Sequence, residues 1–161
     1  KTSSRSITSP AGTADTMEVL ANVAFPIKKM KEIVLKTNGC IIWGGSLNLA
    51  PADDKIIAVE RPLEIDAESQ LLASIMAKKY SVSSTHIVID VPVGNNTKIK
   101  SMAQALKLKG EFEKIGKRLR KHIKVLITDG RQPIGSGIGP ALEARDVLWV
   151  LKRDPRRPID L

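Results

Sequence analysis

Two apolar, β-branched runs, "HIVIDV" (86–91) and "IKVLITD" (123–129), flank a long charged stretch of helical pattern. This spacing restricts the fold more than any other feature. Both runs are bounded by turn residues and read as buried strands. Between them come a loop, "VGNNTK", and a helix over about 97–122. The alternation continues toward the amino end. "CIIW" reads as a short buried strand ended by Gly44-Gly45, "SLNLAPADDK" as a loop, and "IIAVE" as a further short strand. Helices are expected over about 26–38, 66–80 and 140–151, the last after the loop "GRQPIGSGIGP". Strands separated by helices imply an α/β fold, a mixed, mostly parallel sheet flanked by helices. Ligands of such sheets gather at the carboxyl ends of strands, here the loops 92–98 and 129–140.

Charge and composition exclude several classes. The formal net charge of the 161 residues is +9, and ten Lys or Arg fall between 98 and 124 against Glu111 and Glu113. Such a face suits phosphate backbones or is a solvated outer helix face. Only Phe112 of the five aromatic residues lies in this run, so base stacking has little to work with and no nucleic-acid partner is expected. A single cysteine, Cys40, excludes an internal disulfide framework and suits a reducing, cytoplasmic setting. His86 and His122 are isolated in sequence, so no metal site is expected. No apolar run is long enough to span a membrane, and no apolar segment of signal-peptide type follows Lys1.

The opening stretch "KTSSRSITSPAGTAD" has the composition of a polar tail but the punctuation of a loop. Asp15 lies three residues before Glu18, the spacing of a capping box, and Met17, Leu20, Ala21 and Ala24 then recur at helical intervals. The loop therefore leads into a helix N-terminus, with hydroxyls and Arg5 beside it, an arrangement suited to an anion such as a phosphate. On the helix from Asp66, Gln70, Ser74 and Lys78 follow at steps of four and form a polar stripe, either lining a cleft or facing solvent. The run "GSGIG" (135–139) opens a helix as dinucleotide loops do, but Pro140 replaces the third glycine, and a tight turn explains the glycines better.

"SSRSITSPAGTADTME", "GGSLNLAPADDK", "AKK" and "TDGRQPIGSGIGPALEARDVL" together resemble the thymidine/pyrimidine-nucleoside phosphorylase family, and within it the archaeal AMP phosphorylase branch. Nucleoside-specific members carry His-Thr-Gly-Gly-Thr where this chain has Ser9-Pro10-Ala11-Gly12-Thr13, a departure that is similar to the nucleotide-using branch. The resemblance implies part of the catalytic α/β domain of a longer enzyme, without the upstream phosphate loop and the helical dimerisation domain. It implies phosphorolysis, AMP plus phosphate giving adenine and ribose 1,5-bisphosphate, with CMP and UMP as further substrates of related members. No metal or organic cofactor is implied, and the full-length protein would form at least a dimer. Carried over position by position, Ser4, Arg5, Ser6, Ile7, Thr8, Ser9 and Thr13 would contact the nucleotide together with Ser74 and Lys98. Asp66 would donate the proton, and Arg61 and Lys78 match base-holding positions of the pyrimidine nucleoside members. A pyrimidine-nucleoside phosphorylase of the same fold and a basic α/β RNA-binding module are the competing readings.

A helix N-terminus lowers the pKa of a carboxyl such as Asp66, whereas a general acid must hold its proton. Burial beside the bound base or the incoming phosphate charge would have to raise it. The implied fragment is expected to fold yet to be inactive alone. In the complete protein, Asp66→Asn is expected to retain AMP binding and lower turnover by roughly 10²–10⁴, measured by single-turnover base release; unchanged turnover removes Asp66 from the chemistry.

Overall fold

A computed structural model describes residues 1–7, 9–48, 50–63 and 67–161, apart from the side chain of Arg61. In chain order the elements are β1 (Thr2–Ser3), α1 (Thr13–Glu18), α2 (Ile27–Thr37), β2 (Ile42–Trp43), a 3-10 turn (Gly44–Leu47), α3 (Pro51–Leu63), α4 (Glu68–Ser81), β3 (His86–Val93), α5 (Met102–Arg118), β4 (His122–Asp129) and α6 (Pro140–Leu151). The fold is α/β, with small parallel sheets flanked by helices. It divides into two compact units, Lys1–Ser74 with Ile134–Leu161, and Ile75–Pro133. Each unit holds one two-stranded parallel sheet, β1–β2 in the first and β3–β4 in the second.

The second unit follows from the two strands that dominate the sequence. β3 and β4 pair in parallel over eight residues each, from His86 opposite His122 to Val93 opposite Asp129. The connection is α5, which starts at Met102 because the Oγ of its N-cap, Ser101, accepts the Gln104 N–H at 3.2 Å. It starts later than the expected 97 because the residues before it close a tight loop. The Gly94 N–H donates to the Ile99 carbonyl at 3.1 Å, and the Thr97 hydroxyl lies 2.9 and 2.6 Å from the carbonyls of Gly94 and Ile99. Ala105, Leu108, Phe112 and Gly116 are buried at helical spacing, while Lys107, Lys114, Lys117 and Arg118 are exposed. The basic run is thus the outer face of an amphipathic helix. The strands are buried on one face only, contrary to expectation. Ile87, Ile89, Val91 and Val125 face the core, whereas Val88 is 65 % and Leu126 44 % exposed. A strand turns successive side chains to opposite faces, and α5 covers one of them.

In the first unit, α2 begins after Pro26 and ends where Asn38 turns left-handed at φ 59°, as its sequence signals require. Three expectations fail there. "IIAVE" is not a strand, and the second half of "SLNLAPADDK" is not a loop, because α3 begins at Pro51 and runs through both. Pro51 is preorganised for a helix start, Asp53 and Asp54 complement the dipole in the first turn, and the buried Asp53 and Glu60 repeat at two turns, not at a strand period of two. The first helix is also shorter than its apolar spacing suggests. α1 stops at Glu18, and Val19 is 53 % exposed. Among the described residues, no helix is long and apolar enough to cross a membrane.

Phe112 is fully buried beneath β3 and β4. Phe112→Ala is expected to destabilise the chain by about 3–5 kcal/mol, as large-to-small core substitutions do, read as a lowered urea midpoint.

Candidate functional site

Described residues at both ends of the opening loop tie it to the first unit. The Lys1 amino group donates to the Cys40 carbonyl at 3.0 Å, the Ser3 hydroxyl to the Ile42 carbonyl at 2.9 Å, and the Ala14 N–H to the Ser4 carbonyl at 3.1 Å. Ser3 is buried. Gly12 is required by close approach: a Cβ there would meet the Ser4 carbonyl oxygen and lie 2.7 Å from the Ser6 nitrogen. The stretch with the composition of a tail is therefore a held loop, in which Ser4, Ser9 and Thr13 are exposed and Arg5, Ser6 and Ile7 half-buried.

Asp15 organises this loop in a way the capping-box spacing misassigned. Asp15 is not the N-cap; it is the third residue of α1, and Gly12 is the N-cap. Its Oδ2 accepts the N–H groups of Ser6 at 2.8 Å and Gly12 at 2.9 Å, so the loop donors expected to face an external anion meet an internal one. Burial pushes the Asp15 carboxyl up, but the Ser6 and Gly12 N–H groups and the Arg5 guanidinium outweigh it and hold it below the usual range. Glu18 pairs with Arg5 instead of reaching back to the cap. Arg5 Nη1 and Nη2 donate to Glu18 Oε2 and Oε1 at 2.6 and 2.9 Å, and Nη1 also to Asp15 Oδ1 at 3.1 Å. The guanidinium lies 4.8 Å from the centre of the Trp43 ring. Arg5, expected as a cation for substrate phosphate, is thus engaged by two carboxylates that hold its pKa up.

Two members of the polar stripe, Gln70 and Ser74, turn toward α3. Gln70 Nε2 donates to Asp53 Oδ1 and Ser74 Oγ to Asp53 Oδ2, both at 2.9 Å. Asp53 is 6 % exposed. The sequence does not single Asp53 out, because "PADDK" reads as a loop; its signal is the acidic pair just after Pro51, a helix-start pattern.

Thr8, Asp66 and the Arg61 side chain lie outside the described residues; the Arg61 backbone is in the last part of α3. Lys78 lies in the last turn of α4 and Lys98 at the crest of the 94–99 loop, both in the second unit. That loop abuts the one after β4, where the Gly130 N–H donates to the Val93 carbonyl at 2.9 Å. At the end of β4, Arg131 grips Asp129 and holds its pKa at about 2. The glycine run serves conformation, as expected. Gly135 and Gly139 have φ of 83° and 93°, and the N–H groups of Ser136 and Gly137 donate to Asp146 at 2.8 and 2.6 Å. Glu143 joins α6 to α1 by accepting the Gly139 N–H at 3.1 Å and the Thr16 hydroxyl at 2.9 Å. Among the described residues, no group of His, Cys, Asp or Glu is placed to hold a metal ion.

Asp15 ionises more readily folded than unfolded. Its contribution to stability is therefore complete above the unfolded value of about 3.9 and is lost as pH falls through the lower folded value. Asp15→Asn is expected to lower stability at pH 7 and to flatten its decline below about pH 4, read from denaturant midpoints across pH. Gly12→Ala is expected to cost about 1–3 kcal/mol by overpacking against the Ser4–Ser6 backbone.

No protein-family model matches the chain. Whole-chain similarity to known proteins is nevertheless high. A protein of Albidiferax ferrireducens named "Putative thymidine phosphorylase" is 56% identical over all 161 residues, which cover 31% of its length. Proteins of the same name from a Bradyrhizobium species and from Legionella pneumophila are 57% and 55% identical over the whole chain, with 32% and 31% of their lengths covered. These relatives are bacterial, and their names give thymidine, not AMP. Over its full length, this chain is homologous to one segment, about a third, of proteins named for thymidine phosphorylase.

Proposed function

We propose that the complete protein catalyses phosphorolysis of the N-glycosidic bond of a nucleoside or nucleoside 5′-monophosphate. The observation that carries this reading is 55–57% identity across the whole chain to proteins named for that class of reaction. In the reaction, a phosphate oxygen forms a bond to C1′ as the C1′–N bond breaks. The base leaves with the electron pair and takes up a proton. Asp66 is the proposed proton donor, with Ser4, Arg5, Ser6, Ile7, Thr8, Ser9, Thr13, Ser74 and Lys98 as substrate contacts and Arg61 and Lys78 as further contacts to the base. Phosphate held in line supplies the nucleophile, and proton delivery relieves charge on the departing base. The reading requires no organic cofactor.

AMP is the substrate we infer from Ser9-Pro10-Ala11-Gly12-Thr13, which stands where nucleoside-specific members carry His-Thr-Gly-Gly-Thr. A 5′-phosphate at this loop has to draw Arg5 away from Asp15 or Glu18, or be held by the serine and threonine hydroxyls beside it. A pyrimidine nucleoside such as thymidine is the second reading. It is supported by the relatives' names and by the carboxylates that already neutralise Arg5, since a nucleoside brings no 5′-phosphate to be balanced.

Phosphate-dependent base release by the complete protein from AMP, CMP, UMP, adenosine and thymidine tests both. Expected is turnover of AMP with ribose 1,5-bisphosphate as product and none without phosphate. Preference for thymidine moves the assignment to the second reading, and no release from any of the five overturns phosphorolysis.

A further inference from the structure

We propose that the amino ends of β3 and β4 form a binding site for a small anion carrying two or more phosphate groups. The site lies within the second unit and does not rest on the phosphorolysis reading. A cleft of about 420 Å³ opens there, inside the range of about 300–1,000 Å³ usual for small-molecule sites. Its walls include His86 from β3, Glu113 and Lys117 from α5, Lys121 just before β4, and His122 and Lys124 within it. Three lysines thus share a cleft with one carboxylate. Glu113 lies 4.0 Å from Lys109, and none of the three lysines pairs with a carboxylate among the described residues. Elsewhere the fold supplies acids to its cations, as at Arg5, Arg131, Arg145 and Arg156. Lys117 and Lys124 are exposed, and Lys121 is half-buried, with its Nζ 5.3 Å from the centre of the Tyr80 ring.

The backbone holds these side chains in place. α5 ends in a Schellman motif: the Lys121 N–H donates to the Gly116 carbonyl at 2.9 Å and the Arg120 N–H to the Lys117 carbonyl at 3.2 Å, while Arg120 turns left-handed at φ 53°. Gly116 lets this last turn lie against β4, since a Cβ there would come within 2.8 Å of the Ile123 side chain. The His122 N–H donates to the Thr85 carbonyl at 2.9 Å, and the His86 and His122 rings stack 4.7 Å apart. Lysines near a helix C-terminus also answer the dipole, but that end carries only about half a negative charge. Glu113 and the dipole together leave the cleft with an excess of positive charge. Lysine is a compact point charge, whereas the planar fork of arginine suits a flat carboxylate, and lysines line this cleft. Separate point charges on a helix, a turn and a strand suit an anion whose charge is spread over several phosphates. A long nucleic acid needs stacking partners, and Phe112, the aromatic residue of the basic run, is buried. The level eight-residue strands put the site about 23 Å from their carboxyl ends, where the 94–99 loop lies.

The test is calorimetric titration of the complete protein with inorganic tripolyphosphate, orthophosphate, citrate and a short single-stranded RNA. Tripolyphosphate is expected to bind saturably, more tightly than the other three and more weakly as salt rises. The triple variant Lys117→Gln/Lys121→Gln/Lys124→Gln is expected to weaken it by about tenfold or more. An equal loss of charge on α2, Lys28→Gln/Lys31→Gln/Lys36→Gln, is expected to change it by less than about twofold. Glu113→Gln, which removes the acid lining the cleft, is expected to tighten it about threefold. Should the first triple variant not fold, Lys124→Gln alone is read in the same way, with a loss of about threefold. No saturable binding of tripolyphosphate, equal losses from the two triple variants, or binding that the cleft variants leave unchanged overturns the site. Tighter binding of citrate or of the RNA overturns the phosphate assignment in favour of a carboxylate ligand or a nucleic acid. None of these outcomes depends on base release.

Discussion

The opening loop depends on the Asp15 carboxylate. Its Oδ2 gathers the N–H groups of Ser6 and Gly12, and its Oδ1 meets the guanidinium that also holds Glu18 and covers Trp43. Small polar residues bury little apolar surface, so a loop built from them needs such a centre to stay closed. The sequence of this loop reads as a place for a foreign anion, and the fold supplies a resident one.

The same device recurs. Asp146 accepts from two backbone N–H groups of the glycine run, Glu143 from Gly139 and Thr16, and Asp53 from Gln70 and Ser74. The chain has 17 acidic residues against 26 basic ones, and several of the acids are turned inward to satisfy donors. The lysines of α5 stay outside. Buried acceptors and an outward basic face account together for a strongly positive protein whose candidate site is organised by carboxylates.

Much of this was legible in the residues. The β3–α5–β4 unit, the start of α2 at Pro26, the start of α6 at Pro140 and the turn role of Gly135 and Gly139 all follow local rules. Failures came where two patterns overlapped. "IIAVE" is β-branched enough for a strand, yet Pro51 and the acids after it had already started a helix, and continuation outweighs intrinsic preference. Asp15 and Glu18 have capping-box spacing, but the helix begins before Asp15, and Arg5, ten residues away from it, claims both acids. A contact across such a distance leaves no trace in spacing. The pairing of Asp53 with Gln70 and Ser74 is of the same kind: periodicity finds the stripe on α4 but not its partner on α3.

The register of β3 and β4 has an asymmetric consequence for variation. The strands run level from His86 and His122 to Val93 and Asp129, so the loops that follow them leave the sheet side by side and touch through Gly94 and Gly130. An insertion in either loop must be accommodated by the other. At the opposite end, the His86 and His122 rings stack 4.7 Å apart on an exposed edge, where side chains have room to change. Within this unit, drift in loop length is resisted at the edge where α/β sheets bind their ligands and tolerated at the other.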